Sequence, residues 1–147
     1  MRRTIQDVTT SSPEETVAFG RALAARLRAP ALVLLSGELG SGKTTLVKGL
    51  VSGLGLAGEE EVTSPSFVFV HVYGNHLRLY HVDLYRVDGV AELESLGLED
   101  LMAEKAIVVV EWAERLRLPG LRPALRVQME VVSDVQRRIC VEGDTDD

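Results

Sequence analysis

Two periodicities run through this chain, and they divide it into helices and strands. Arg3 to Val8 reads as a short first strand. Ser12-Pro13-Glu14-Glu15 then opens a helix, with Ser12 as N-cap, Pro13 in the first turn and Glu15 closing a capping box. Val17, Gly20, Ala24 and Leu27 fall on one face at helical spacing and carry that helix to about Arg28. Ala31 to Leu35 is a continuous apolar run with the length of a buried strand. Thr45 to Val51 returns to the helical pattern and frays near Gly53-Leu54-Gly55.

A gap rich in glycine and glutamate, Gly58 to Glu61, separates this half from two strand-like runs. Ser66 to Tyr73 and Leu77 to Tyr85 flank Gly74-Asn75-His76, a hairpin signature. Val90 to Ala103 has helical spacing. Ala106 to Glu111 is apolar without interruption until its final acid, as in a central strand covered on both faces. Leu125 to Val132 and Val135 to Val141 meet at Ser133-Asp134 in a second hairpin. The pattern predicts one α/β domain over residues 1–142, followed by an acidic tail, Gly143 to Asp147, expected to be disordered. Its sheet is expected to be mixed, because two hairpins do not fit an all-parallel arrangement.

The connection between the apolar strand and its helix carries the clearest chemistry. It reads Gly37-Glu38-Leu39-Gly40-Ser41-Gly42-Lys43-Thr44, a complete phosphate-binding P-loop. A strand before it and a helix after it are what the motif needs, since the N–H groups of the loop and the helix start must converge on phosphate oxygens. Glu38, Leu39, Gly40, Ser41, Gly42, Lys43, Thr44 and Thr45 are therefore the expected nucleotide-binding segment. Lys43 is expected to reach the terminal phosphates and the Thr44 hydroxyl a magnesium ion.

Composition changes this picture little. The chain has 147 residues, enough for one core but not for a separate substrate domain. Its 16 basic and 22 acidic side chains leave a net charge of −6, so no general attraction to nucleic acid is expected, DNA included. Cys140 is the sole cysteine, which excludes an internal disulfide and reads as a small core or edge residue rather than a nucleophile. No apolar run is long enough to cross a membrane, and the polar N-terminus lacks a signal-peptide core, so a cytoplasmic location is expected.

A P-loop alone hydrolyses nothing; acids must stand near magnesium and the attacking water. Glu111 ends Ile107-Val108-Val109-Val110-Glu111, the pattern of a Walker B strand, and Asp83 lies in His81-Val82-Asp83-Leu84-Tyr85-Arg86. Ligands gather at the carboxyl ends of parallel strands, which favours Glu111 as a magnesium ligand with Thr44. Asp83 is then a second magnesium-shell or water-positioning carboxylate, and the roles of the two acids are exchangeable on the sequence. Thr63, Ser64 and Ser66, in Val62-Thr63-Ser64-Pro65-Ser66-Phe67, supply hydroxyls for a switch that closes on the terminal phosphate. His81 and Arg86 are candidates for charge stabilisation, and Trp112 is either core or a surface contact. His71, His76 and His81 lack metal-ligand partners at useful spacing, so a zinc site is not expected.

Taken together, the P-loop through Thr45, the segment 62–67, the His81 to Arg86 motif and Glu111-Trp112 resemble the TsaE family, bacterial ATPases of tRNA threonylcarbamoyladenosine biosynthesis. The resemblance covers nearly the whole chain. It implies ATP with Mg2+, weak intrinsic hydrolysis, and service to the two-subunit TsaB–TsaD enzyme, which transfers a threonylcarbamoyl group to an adenosine beside the anticodon; tRNA itself is then reached only indirectly. It also implies Lys43 on phosphate, Thr44 and Glu111 on magnesium, Asp83 as a catalytic acid, a functional Trp112, and Thr10 or Ser11 near the nucleotide. Ser66 stands where the family usually has threonine.

Two other classes use the same cradle. A small-molecule kinase needs an arginine-bearing lid, but Ala113 to Arg122, with Arg115, Arg117 and Arg122, is short for one. A GTPase needs an Asn-Lys-x-Asp guanine signature, which the chain lacks.

Overall fold

The computed structural model describes residues 2–65, 69–116 and 121–144. Ser66, Phe67 and Arg117, all named above, lie outside the described residues, as do residues 145–147. The strands are β1 (Arg2–Thr10), β2 (Ala31–Gly37), β3 (Val70–Tyr73), β4 (Leu79–Asp83), β5 (Ile107–Glu111), β6 (Leu125–Val131) and β7 (Arg137–Asp144). The helices are α1 (Pro13–Ala24), α2 (Lys43–Gly53), α3 (Gly89–Ser95) and α4 (Leu98–Ala103).

All the strands join one sheet in the order β1-β7-β6-β2-β5-β4-β3. Its centre is parallel: β2 pairs with both β5 and β6, and β5 with β4. Both expected hairpins form and supply the antiparallel edges, β3 against β4 and β7 against β6, with β1 added outside β7. The result is a mixed-sheet P-loop architecture. Every residue of β4 and β5 is buried, the signature of strands covered on both faces. β6 instead alternates, burying Leu125, Val127 and Met129 while exposing Arg126, Gln128 and Glu130.

Strand parity splits the core into two layers. Val33, Leu35, Leu79, Ile107 and Val109 face α1 and α2. Leu32, Leu34, Tyr80, Val82, Val108 and Val110 face the layer containing Leu93 and Leu98 of α3 and α4. Since 79 lies on the first face, so do His81 and Asp83 two and four residues on. That parity aims both polar residues of β4 toward α2, the helix that grows out of the P-loop.

Local differences from the sequence reading have local causes. Ser12 caps α1 by accepting from the Glu15 N–H at 3.1 Å, but the Glu15 carboxylate accepts from Ser11 rather than from Ser12. The helix ends at Ala24, short of Arg28, because its last turn tightens into i→i−3 bonds through Leu27 ahead of Pro30. The single helix expected over Val90–Ala103 breaks at Gly97, whose φ of 66° is left-handed, into α3 and α4. β7 runs on through Gly143 and Asp144, so the ordered chain extends past the expected start of the acidic tail. Cys140 sits half-buried on β7, level with Gln128 and Asp7.

Helices α1 and α2 cross at bare backbone. A Cβ on Gly20 would stand 2.6 Å from the Leu46 carbonyl oxygen, and one on Gly49 only 2.8 Å from the Gly20 Cα. This close approach lets α1 brace the helix that carries Lys43 and Thr44.

Candidate functional site

The loop between β2 and α2 folds as its glycines require. Gly42, the residue before α2, has φ 99°, and a Cβ on Gly37 would meet both the Met129 carbonyl oxygen and the Ser41 hydroxyl at 2.6 Å. Any larger residue at 37 would push the loop away from β6. Gly40 is also left-handed, and Leu39 between these turns is 71% exposed. The Lys43 ammonium folds back over its own loop, donating to the Gly37 carbonyl, to the Glu38 carbonyl at 3.1 Å and to the Ser41 hydroxyl at 3.5 Å. Burial pushes the Lys43 pKa below that of an ordinary lysine, against the opposing pull of Glu111, Glu114, Asp83 and Glu38.

Beside the loop stand the two acids. Asp83 and Glu111 are level with each other at the carboxyl ends of β4 and β5. The Thr44 hydroxyl donates to Glu111 Oε2 at 2.8 Å, joining the first turn of α2 to the end of β5. Asp83 accepts from the Ser64 hydroxyl at 3.0 Å and from the Tyr85 N–H at 2.9 Å, so its carboxylate is held at both oxygens. Trp112 follows β5 with φ 59°, an uncommon backbone position for a residue with a Cβ, which turns its indole over Lys43 at 3.9 Å from the ring centroid. Tyr85 packs on the same indole at 4.9 Å.

These groups line one cavity of about 600 Å³ that takes in Leu39 to Thr45, Ser64, Asp83, Tyr85, Arg86, Glu111 and Trp112. A second cavity of about 310 Å³ shares Gly40, Gly42 and Thr45 with it and continues to Ser12, Pro13, Thr16, Asp134, Val135 and Arg137. The P-loop thus separates a chamber holding Asp83 and Glu111 from one holding Asp134 and Arg137.

Most residues singled out in the sequence converge here; among those described, Thr63, Ser11, Thr10 and His81 do not line the cavity of the two acids. Thr63 is tied by its backbone to the Tyr73 hydroxyl and the His71 ring, away from the acids. Ser11 is exposed, and its neighbours Ser12 and Thr16 line the second cavity instead. Thr10 is buried against the Thr16 hydroxyl at 2.7 Å. His81 is completely buried beneath Glu111 rather than facing the cavity.

Sequence reasoning passed over Tyr85, Ser12, Thr16 and Arg137. Arg137 donates to the Gly40 carbonyl at 3.1 Å and to the Ser133 carbonyl at 2.8 Å, clamping the β6–β7 turn to the P-loop. No local signal marks a contact between residues so far apart in the chain. Tyr85 did sit inside a recognised motif, where an aromatic beside an acid was its only sign.

A family model described as threonylcarbamoyl adenosine biosynthesis protein TsaE matches residues 10–139. The chain belongs to the TsaE family. It is 46% identical over 133 residues to a tRNA threonylcarbamoyladenosine biosynthesis protein TsaE of Streptomyces coelicolor, covering 85% of this chain and 88% of that one. The TsaE protein of Treponema pallidum is 34% identical over 130 residues, covering 88% and 95% respectively. Among solved structures, that of Bacillus subtilis YdiB superposes with a TM-score of 0.74 at 31% identity, over 97% of this chain and 87% of the other. The TsaE match takes in the P-loop, both acids and Trp112 in one span, so nucleotide binding and a place in tRNA threonylcarbamoyladenosine biosynthesis come with membership.

Magnesium suits the donors present. Thr44 and Glu111 offer hard oxygen ligands, and Mg2+ is commonly held by one or two protein oxygens with phosphates and waters completing its shell. A hydroxyl has one proton and two lone pairs, so Thr44 can keep donating to Glu111 while a lone pair faces a cation.

Proposed function

We propose that this chain is a magnesium-dependent ATPase that serves a TsaB–TsaD enzyme in the cytoplasm, contacting tRNA only through that partner. The observation that carries the reading is the Thr44–Glu111 hydrogen bond of 2.8 Å, which joins the P-loop helix to the acid of β5. In this reading the nucleoside lies along the cavity of Ser12, Thr16 and Arg137, and the polyphosphate crosses the loop toward Lys43. Thr44 and Glu111 hold Mg2+, which when bound neutralises phosphate charge and orients the terminal group. Asp83, fixed by Ser64 and Tyr85, orients the attacking water and accepts its proton. Arg86 and Lys43 offset the charge that develops on the phosphoryl oxygens. Ser64 links the segment carrying Thr63 and Ser66 to this chemistry through Asp83.

Base preference is tested by calorimetric titration of ATP and GTP with magnesium; tighter GTP binding would overturn the ATPase reading. Asp83→Ala is expected to leave ATP affinity within about threefold while the hydrolysis rate drops by about 100-fold, the usual worth of a positioned general base. Unchanged turnover in single-turnover assays would remove Asp83 from that role. The pathway is tested by reconstituting tRNA modification with TsaB, TsaD and the threonylcarbamoyl-adenylate donor. Repeated turnover that depends on this chain is expected, and turnover indifferent to it would refute the partner assignment.

A further inference from the structure

The structure contains a polar side chain that neither the core nor the cavity accounts for. His81 lies in the middle of β4, wholly buried between Tyr80 and Val82. Its Nε2 stands 2.5 Å from Glu111 Oε2, the same oxygen that accepts the Thr44 hydroxyl. Among the described residues its Nδ1 has no hydrogen-bond partner. Packing alone would favour leucine or phenylalanine here, which bury as well and leave no polar atom unsatisfied.

The two donors to Oε2 differ in kind. The Thr44 hydroxyl belongs to the P-loop helix and must serve a cation as well. The imidazole belongs to a buried central strand, in register with Val109 of β5, and cannot leave. A glutamate side chain has several rotatable bonds, and at a strand end its carboxylate would otherwise sample several directions. A fixed donor beneath one oxygen removes that freedom before any ligand arrives.

We infer that His81 is a positioning residue: it donates through Nε2–H to Glu111 and orients that carboxylate for the magnesium of a bound nucleotide. The inference rests on the magnesium–ATP reading above. It assigns His81 no contact with nucleotide, water or metal, and thereby replaces the charge-stabilising part expected of it from sequence. Supports of this kind beneath a ligating group commonly change metal affinity by about 10–100-fold.

The test compares His81→Leu with His81→Gln, whose amide nitrogen ends near the position of the imidazole Nε2. ATP affinity is measured for each by calorimetry with magnesium and again in EDTA, alongside thermal melting. The ratio of the two affinities belongs to each folded variant and is insensitive to partial unfolding. His81→Leu is expected to lose about tenfold or more of the magnesium enhancement, with affinity in EDTA unchanged, and His81→Gln to retain most of the enhancement. If His81→Leu does not fold, His81→Asn replaces it, because its amide falls short of Glu111. Equal enhancement in all variants would make His81 a core residue only, and equal loss with and without magnesium would make its role one of folding; either result overturns the inference. Absence of magnesium enhancement in the unaltered chain would instead defeat the magnesium–ATP reading itself.

Discussion

Lys43→Ala is expected to weaken magnesium–ATP binding by about 100-fold or more, since truncating one partner of a desolvated charge pair costs about 3 kcal/mol. Lys43 is positioned for this effect: the residue is 5% exposed and borders the Asp83–Glu111 cavity. Lys43→Arg should not rescue binding, because a planar guanidinium cannot make the compact turn that lets the ammonium reach the Gly37 and Glu38 carbonyls. Calorimetry reads the loss directly. The emission of Trp112, the one tryptophan of the chain, offers a second measurement, because its ring carries the Lys43 ammonium. Affinity within about threefold of the unaltered chain would remove Lys43 from phosphate binding.

The same substitution carries a pH signature. Burial holds the Lys43 pKa below its ordinary value of 10.5. The unfolded chain therefore holds this proton at pH values where the folded chain has released it. On that account folding stability rises with pH from the lowered pKa up to 10.5, and below that window the buried charge is a standing cost. Thermal melting should show this rise in the unaltered protein relative to Lys43→Ala. It should also show that the variant is folded, which separates lost binding from lost structure.

Gly49→Ala is the second large expectation, on stability rather than binding. On an exposed helix this exchange would stabilise by about 1 kcal/mol, because alanine is the better helix former. Here the new methyl would meet the Val17 carbonyl and stand 2.8 Å from the Gly20 Cα, both backbone atoms of α1 that have no side-chain freedom to yield. Forced overpacking of this kind costs about 3 kcal/mol, which outweighs the propensity gain and reverses the sign. For a domain of this size the melting temperature should fall by roughly 5–10 °C. Because α1 braces the helix bearing Lys43 and Thr44, ATP affinity should fall with it. A melting temperature at or above that of the unaltered chain would show that the two helices can separate freely.

How much of this was legible beforehand follows from the range of the interactions involved. The P-loop, both hairpins, the capping serine of α1 and the strand-end Glu111 were readable, because each is specified by residues within a few positions of one another. Turn chemistry, phosphate-binding loops and strand periodicity are written locally, and the TsaE resemblance rests on such segments. Gly97 was also in plain view, but helical spacing continued across it, and only the chain's left-handed turn there revealed two helices where one was expected.

What tertiary structure alone decided is which distant groups meet. The sequence of His81 to Arg86 contains the histidine, the acid and the tyrosine, but not the neighbours of β4. Its place beside β5 buries His81, sets Asp83 level with Glu111, and gives Glu111 a second donor besides Thr44. Arg137 reaches Gly40 only because β7 folds back beside β6 and carries its turn to the P-loop. A strand's period of two states that alternate residues share a face, but not which face or what lies against it; those depend on sheet order, which is a property of the whole chain. The sequence by itself determined a nucleotide-binding loop and its family. The arrangement that sets two carboxylates beside that loop, with a buried imidazole beneath one of them, arose from packing between elements that are remote in the chain.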